Sequence, residues 1–555
     1  MNRQEITVLN FYTVFPFNHG GSRELRGFCK GLSEWFDINL IVFDDKDIYK
    51  EEVVLSKHLK VFQIPFTWQL VEELYWFYEE YGFNAKSLID YSVFASRFLS
   101  EMPKFVEKVR RISENSQIII TTHPYTYRLA KEACPEKSIW YRAQNVEYNY
   151  KKSTWTKLYN PELLLLEVFA LEKECCDGSE LILTITQDDA DCFREMYNIS
   201  PEKILNISAG YDFDSLEFTP PSKRKRKEDI YNLTALFISS DADVAVNAAN
   251  NIVKIALDTP LVKYIIAGTV GYKINKKEIP NNVYIMGMVS EAEKIELLKM
   301  SDVALNLIEG GSGLNMKMLE YFAYGLPVIS TKFGARGLDV TNRIECLITS
   351  ESGYKNDILA FINMPISERD RLAQNALELL KRDYDWRNIA MKIISYIGTK
   401  YPNIYAKTKP VPQKETMLCE IPEIKQVVYD KNIPLFVWGA GNYGTSCLNM
   451  LKESGVTVSG IIDNDCDKWN KSIDGYKIFS PSDYFTSYRN SCVIVAVSKF
   501  IPILTQLIAG GILLENILLS YDGRVVVSLN SDNLPYYYDY YKLINLISKK
   551  ENADE

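Results

Sequence analysis

The sequence predicts an α/β protein: two large units and one small one, each a parallel sheet covered by helices on both faces, then a C-terminal helix. Three observations predict it. Short apolar runs rich in Ile, Val, Leu and Phe alternate with longer helix-like segments from Ile6 to Ile397, the pattern of buried parallel strands joined by crossover helices. Two proline-bearing breaks, FTPPSKRKRKEDIYN and KYPNIYAKTKPVPQKET, interrupt that alternation, as interdomain linkers do. After the second break the alternation restarts with LFVWGAG, VSGIID and CVIVAVS. The expected divisions are residues 1–218, 228–400 and 426–525, with a helical tail over 530–555. At 555 residues the chain is too long for one core, because domains run at roughly 100–200 residues.

Taken in order, ITVLNFY, INLIVF, IIITTH, SIWYRAQN and LILTIT are strands of the first unit. ALFIS, YIIAG, VYIMG, VALNLI and PVIST are those of the second. Between them, WQLVEELYWFYEEYGF sets aromatics on one helical face and glutamates on another. It reads as a helix packed on the core or shaping an acceptor cleft, because a membrane-surface anchor carries a basic polar face. The basic run Lys223 to Lys227 reads as a solvated linker, with contact to an anionic membrane or nuclear import as alternatives.

Acidic residues outnumber basic ones, 72 to 63, for a net charge of -9. That balance argues against nucleic acid as the main partner, since phosphate backbones need a basic footprint. The ten cysteines form no Cys-x-x-Cys pair, and the three histidines (His19, His58, His123) make no zinc spacing with them. No metal is expected. No run approaches a membrane span and no signal peptide opens the chain, so a cytoplasmic protein is expected, at most touching the inner face of the membrane from its surface.

The chemistry concentrates in EGGSGLNMKMLEYFAYGLPVISTKFGARGL, residues 309–338. Glycines at 310, 311 and 313 follow a buried strand and allow a tight loop, and a helix begins at Asn315. A glycine loop leading into unpartnered helix N–H groups suits a diphosphate. Lys317 stands in the first turn, where the helix dipole disfavours a cation unless an anionic ligand sits there. Glu320 follows on the same face and can accept hydrogen bonds from ribose hydroxyls. An ordinary strand–helix turn with a surface Lys and Glu is the competing reading.

This stretch resembles the donor-binding motif of retaining GT-B glycosyltransferases of the family 4 type, in which a strand, a glycine loop and a helix end in a ribose-binding glutamate. The resemblance puts Glu320 in that place, with GLPVIST as the strand that follows. Ser312 stands where many relatives carry another glutamate that touches the donor sugar. Ser312, Gly313, Leu314, Asn315, Lys317 and Glu320 are thereby implied as donor-binding. FPFNHGGSREL resembles the glycine loop of the first domain, so Gly20 and Gly21 are implied at the donor phosphate. ITTHP resembles the segment whose histidine lines the acceptor side, which makes His123 a candidate catalytic residue beside Lys317. WYRAQNVEYNY resembles a His-Asn-Val-Glu element with Gln144 in place of the histidine, so Asn145 and Glu147 are implied on the acceptor side. ISAGYDFDSLEF resembles the segment before the interdomain linker, and YDWRNIAMKIISYIG the helix that crosses back to the first domain. The usual Arg and Lys at the start of the second domain are missing from ISSDADVAVNAANN, where Asp241 and Asn247 resemble a Ser-Asp…Asn variant. Lys317 is therefore inferred to supply cation charge to the leaving group.

The third unit carries a dinucleotide-type fingerprint. Gly439, Gly441 and Gly444 follow an apolar strand and open a helix, and Asp463 ends the next strand as a ribose partner. This unit resembles the small Rossmann-like domains found beside sugar-modifying enzymes. Nucleotide binding and a structural or docking role both stay open for it.

The resemblance thus implies two Rossmann-like GT-B domains facing a cleft, with a third Rossmann-like domain appended. It implies transfer of a hexosyl or N-acetylhexosaminyl group from a UDP- or GDP-linked sugar, with retention and without a metal or other cofactor. The implied acceptor is a hydroxyl of a surface glycan, a lipid-linked intermediate or a protein such as flagellin. A nucleotide-sugar epimerase or hydrolase, or a catalytically silent scaffold of the same fold, are the alternatives. Peripheral membrane contact and a homo-oligomer stay open as well.

Overall fold

A computed structural model describes residues 3–12, 20–44, 52–66, 92–155, 161–213, 216–224, 230–274, 279–289, 291–310, 314–405, 433–453, 455–497, 501–513, 516–521 and 525–528, with single positions between them. The tail over 530–555, most of WQLVEELYWFYEEYGF, Ser312 and Gly313 lie outside the described residues. The chain divides into two compact units. One gathers Met1–Phe11, Arg23–Ile38 and Leu74–Val411; the other gathers Tyr12–Ser22, Asn39–Glu73 and Pro412–Glu555.

The amino-terminal strands are β1 (Glu5–Asn10), β2 (Asp37–Asp44), β3 (Glu52–Ser56), β4 (Leu59–Pro65), β5 (Ser116–Thr121), β6 (Ser138–Ala143), β7 (Leu181–Thr184) and β8 (Ile204–Asn206). In the first unit β1, β5, β6, β7 and β8 lie side by side in that order, all parallel. β3 and β4 pair as an antiparallel hairpin. The parallel run is buried on both faces, as Val8, Ile120, Trp140 and Leu183 show, which is why these strands read as continuous apolar runs.

The next six strands are β9 (Leu233–Ile238), β10 (Val262–Ala267), β11 (Val283–Gly287), β12 (Val303–Asn306), β13 (Val328–Thr331) and β14 (Leu347–Thr349). They form a wholly parallel sheet in the order β11-β10-β9-β12-β13-β14. Strand order therefore reverses between β9 and β12, the switch point where open α/β sheets bind ligands. Alternation sorts β9: Leu233, Ala235 and Phe237 pack with the helix Asp243–Asp258, whereas Leu236 packs with the helix Met316–Ala323 on the opposite face. The helix Trp386–Lys400 is capped by Asp385 accepting from Arg387 N at 2.9 Å and packs on the first sheet. Its Tyr396 ring meets Trp140 of β6 edge-on at 5.7 Å.

The second unit holds β15 (Leu435–Trp438), β16 (Gly460–Ile462), β17 (Ser472–Ile473), β18 (Tyr476–Phe479), β19 (Cys492–Val495), β20 (Ile517–Tyr521) and β21 (Val525–Ser528), ordered β17-β18-β16-β15-β19-β20-β21. Its five central strands are parallel and the two outer ones antiparallel. The Rossmann-like order is thus present, with its own switch between β15 and β19.

At the linker the expectation fails for one residue; Lys223 is exposed, and residues 225–227 lie outside the described residues. Arg224, inside the basic run read as solvated, is docked: its guanidinium donates to the carbonyls of Thr219 at 3.2 Å, Leu298 at 2.6 Å and Ser301 at 3.0 Å, and to that of Tyr324. Leu298 and Tyr324 lie at helix C-terminal ends, whose orphan carbonyls need donors, so an arginine close in space satisfies them. Burial pulls this guanidinium down to about 10. Among the described residues no helix is long and apolar enough to cross a membrane.

Candidate functional site

At the switch point of the second sheet, β9 leads directly to Ser239 and β12 leads into the loop before the helix Met316–Ala323. That helix starts one residue later than the sequence suggests, because Asn315 turns its side chain away: its Nδ2 donates to Asn306 Oδ1 at 2.8 Å rather than capping. Asn306 in turn donates to Gly334 O at 2.8 Å and Ser330 Oγ at 3.2 Å. The loops after β12 and β13 are therefore tied through one buried amide.

Lys317 crosses the switch point and donates to Ser239 Oγ at 2.6 Å. Burial pulls its ammonium down to about 8, with the Glu320 carboxylate opposing. One turn on, Glu320 pairs with Lys294 of the helix Glu291–Met300. Lys294 was not foreseen, since nothing in the local pattern links it to a residue 26 positions away. Asp241, at the variant start of the domain, is exposed and held by Thr269 Oγ1 at 3.2 Å and by Lys273, 3.5 Å from Oδ2 and donating to its carbonyl at 2.9 Å. Lys273 thus brings a cation where the expected Arg and Lys are absent. Asn247 is exposed on the helix behind.

The loop after β13 reaches the first sheet's elements. Gly337 has φ +74°, and a Cβ there would lie 2.7 Å from Thr186 Cγ2 and 3.0 Å from Leu314 Cδ1. Thr186 caps the helix Gln187–Tyr197 by accepting from Asp189 N at 3.0 Å. Arg336, next to Gly337, is half-buried and held down by burial, with Asp189 and Asp188 acting against it.

On the acceptor side, His123 follows β5 at the switch between β1 and β5, nearly buried at 6% exposure. Its Nδ1 lies 3.1 Å from Thr122 Oγ1, and that hydroxyl faces two acceptors, Asn10 Oδ1 at 2.6 Å and Leu9 O at 3.2 Å. A hydroxyl has one proton to donate, so Nδ1 carries the hydrogen toward Thr122 and Nε2 is the site that can take a proton. Nε2 lies 3.8 Å from Glu147 Oε1. Glu147 Oε2 accepts from Tyr125 OH at 2.9 Å and sits 3.9 Å from Lys151 Nζ. Phe11 closes the ring set edge-on, 4.7 Å from His123. Glu147 is the first residue of the helix Glu147–Thr154, where a carboxylate is favoured by the dipole.

The structure thus gathers Leu314, Asn315, Lys317 and Glu320 in one group and His123 with Glu147 in another. Asn145 is half-buried in the bend between β6 and the Glu147 helix. Gly20 and Gly21 are the first two residues of the helix Gly20–Ser33, not part of a preceding loop. In the second unit Gly439 has φ +122°, and a Cβ on Gly444 would fall 1.7 Å from Gly439 O. Asp463, expected as a ribose partner, is bonded to its own turn: Oδ2 accepts from Ala440 N at 2.6 Å and Oδ1 from Asp465 N at 2.8 Å. Its carboxylate stabilises its own glycine turn. Nearby Asp465, Cys466 and Asp467 are exposed and close together, with Lys468 3.6 Å from Asp465.

Residues 234–363 match the family model described as glycosyl transferases group 1, and residues 431–518 match one described as C2185-like, N-terminal. A chitobiosyldiphosphodolichol beta-mannosyltransferase of Candida albicans is 22% identical over 258 residues, 42% of this chain and 55% of that protein. One from Debaryomyces hansenii is 28% identical over 292 residues, 45% of this chain and 61% of that protein. The chain thus spans little more than half the length of these curated relatives. The solved sucrose-phosphate synthase of Thermosynechococcus elongatus superposes with a TM-score of 0.53 at 13% identity, covering 73% of this chain and 100% of that one. Residues 234–363 are therefore a glycosyl transferases group 1 domain, set in a chain of GT-B fold.

Proposed function

We propose that this protein transfers a hexosyl or N-acetylhexosaminyl group from a UDP- or GDP-linked sugar to a hydroxyl of a glycan, lipid-linked or protein acceptor. The observation that carries the reading is the pair on one helix face: Lys317 reaching Ser239 across the switch point, with Glu320 one turn away. A cation and a helix N-terminus receive the diphosphate, and the glutamate receives the ribose. Diphosphate departure leaves positive charge on the sugar ring, and the retaining course we assign has the departing phosphate take the acceptor proton. The His123–Glu147 pair lines the acceptor's approach. The matched group 1 domain supports transfer over epimerisation or a silent scaffold.

Incubation with a panel of UDP- and GDP-sugars, with and without acceptors, tests the proposal. The two fungal relatives are named for beta-mannosyl transfer to chitobiosyldiphosphodolichol, so a mannose donor and a chitobiosyl-diphosphate-linked lipid acceptor belong in the panel. Transfer supports the reading; donor conversion without acceptor, or no turnover, refutes it. The anomeric configuration of the product by NMR decides retention. Transfer should survive EDTA; loss of activity restored by manganese or magnesium would count against a metal-free site.

A further inference from the structure

Behind the His123–Glu147 pair lies a second buried carboxylate, bonded to the backbone of the Glu147 helix. Glu172 lies in the helix Pro161–Gly178 and is wholly buried. Four donors converge on its carboxylate. Oε1 accepts from Glu147 N at 2.8 Å and Tyr141 OH at 3.0 Å; Oε2 accepts from Tyr148 N at 3.0 Å and Tyr197 OH at 2.6 Å. The two backbone donors are the first N–H groups of the helix that presents Glu147, groups no intrahelical carbonyl can satisfy.

We infer that Glu172 is a positioning residue, holding the start of the Glu147 helix and through it the Glu147–His123 pair. The arrangement requires a carboxylate in particular. Each oxygen faces one backbone N–H, which can only donate, so an amide in this place sets its NH₂ against a backbone N–H whichever way it turns. A hydrophobic residue would leave both N–H groups and both phenols without acceptors. Burial also pushes the Glu172 carboxyl up to about 7, with Glu147 adding to the rise. The bonds from Tyr197 and from the two backbone N–H groups oppose that rise. What the pair does for an acceptor rests on the glycosyltransferase reading, whereas the positioning itself does not.

The test uses the full chain labelled with ¹⁵N-histidine, reading the ring resonances of His123 assigned by loss in His123→Gln. Glu147→Gln removes the carboxylate 3.8 Å from Nε2 and should displace those resonances. Glu172→Gln should displace them in the same direction while those of His58 stay in place. Tyr197→Phe keeps both backbone bonds and should leave them near the wild-type positions. If Glu172→Gln does not fold, Glu172→Asp, which keeps two acceptor oxygens but withdraws them by one methylene, should give a smaller displacement. Unmoved His123 resonances in the folded Glu172 variant, or in Glu147→Gln, overturn the proposal. A wild type inactive across the sugar panel sinks the transferase reading while the resonances still judge Glu172.

Discussion

Lys317 and Glu320 share a helix face but respond to different perturbations. The Lys317 ammonium, held down to about 8 by burial, is charged below that pH and neutral above it. UDP or GDP affinity should therefore be level below about pH 8 and fall as pH rises through it, with the diphosphate itself shifting the midpoint upward. Lys317→Met should bind more weakly and show no such fall; calorimetry across pH 6.5 to about 9.5 checks both. Stability moves the opposite way: burying this lysine costs nothing well above its unfolded value, and the cost grows as pH falls from about 10.5 to about 8, below which it is fully present. Glu320→Ala should weaken nucleotide-sugar binding by about 1.5–3 kcal/mol. The structure adds that this change removes an ion-pair partner from Lys294, only 12% exposed, so the melting temperature should drop too. The double variant Lys294→Met, Glu320→Gln should recover the melting temperature without recovering the affinity.

At the scale of elements, the two glycine-bearing turns serve different ends. The turn after β12 is tied to its neighbours by Asn306 and Asn315, and its helix offers Lys317 and Glu320 outward from the sheet edge. The turn after β15 is closed on itself. Gly444→Ala would drive a methyl into Gly439 O at 1.7 Å, whereas a Cβ on Gly441 meets nothing within 4 Å. Gly444→Ala should therefore lower the melting temperature, and Gly441→Leu should not. Because Asp463 already accepts from Ala440 and Asp465, Gly441→Leu should also leave nucleotide-sugar affinity of the full chain unchanged. A tenfold loss of affinity there, roughly 1.4 kcal/mol, would restore the nucleotide-binding reading of this unit.

At the scale of the whole molecule, Ser239, Lys294, Lys317, Glu320, His123, Glu147 and the helix Trp386–Lys400 all fall within the first compact unit. A chain ended at Thr408 keeps every one of these residues but loses most of the second unit, to which Tyr12–Ser22 and Asn39–Glu73 also belong. It should bind UDP or GDP with unchanged affinity, and its circular dichroism reads whether β2, β3 and β4 hold without residues 412–555. Calorimetry of that chain checks the affinity, and loss of nucleotide binding would contradict the division of labour. What the shortened chain should lose is efficient use of its natural acceptor, or assembly with other copies.

By itself the sequence determined the α/β character, the long apolar strands such as β1, β5, β9, β12, β15 and β19, and the helix that bears Lys317 and Glu320; it missed the β3–β4 hairpin and the strands β8, β14, β17, β18, β20 and β21. Those features are local: a buried parallel strand shows as a run of apolar residues, and a helix start shows as glycines followed by a periodic face. The tertiary structure alone decided which polar groups answer one another. Lys317 meets Ser239 across 78 positions, Arg224 reaches Tyr324 across 100, and Glu172 collects donors from positions 141 to 197. Even Asp463, whose motif is local, proved engaged by its own turn, because a motif states which residue types are near and not where their lone pairs point. Such pairings follow from the sheet's strand order, which brings chain-distant ends together at a switch point, and from the need of every buried polar group for a partner. No periodicity along the chain encodes either.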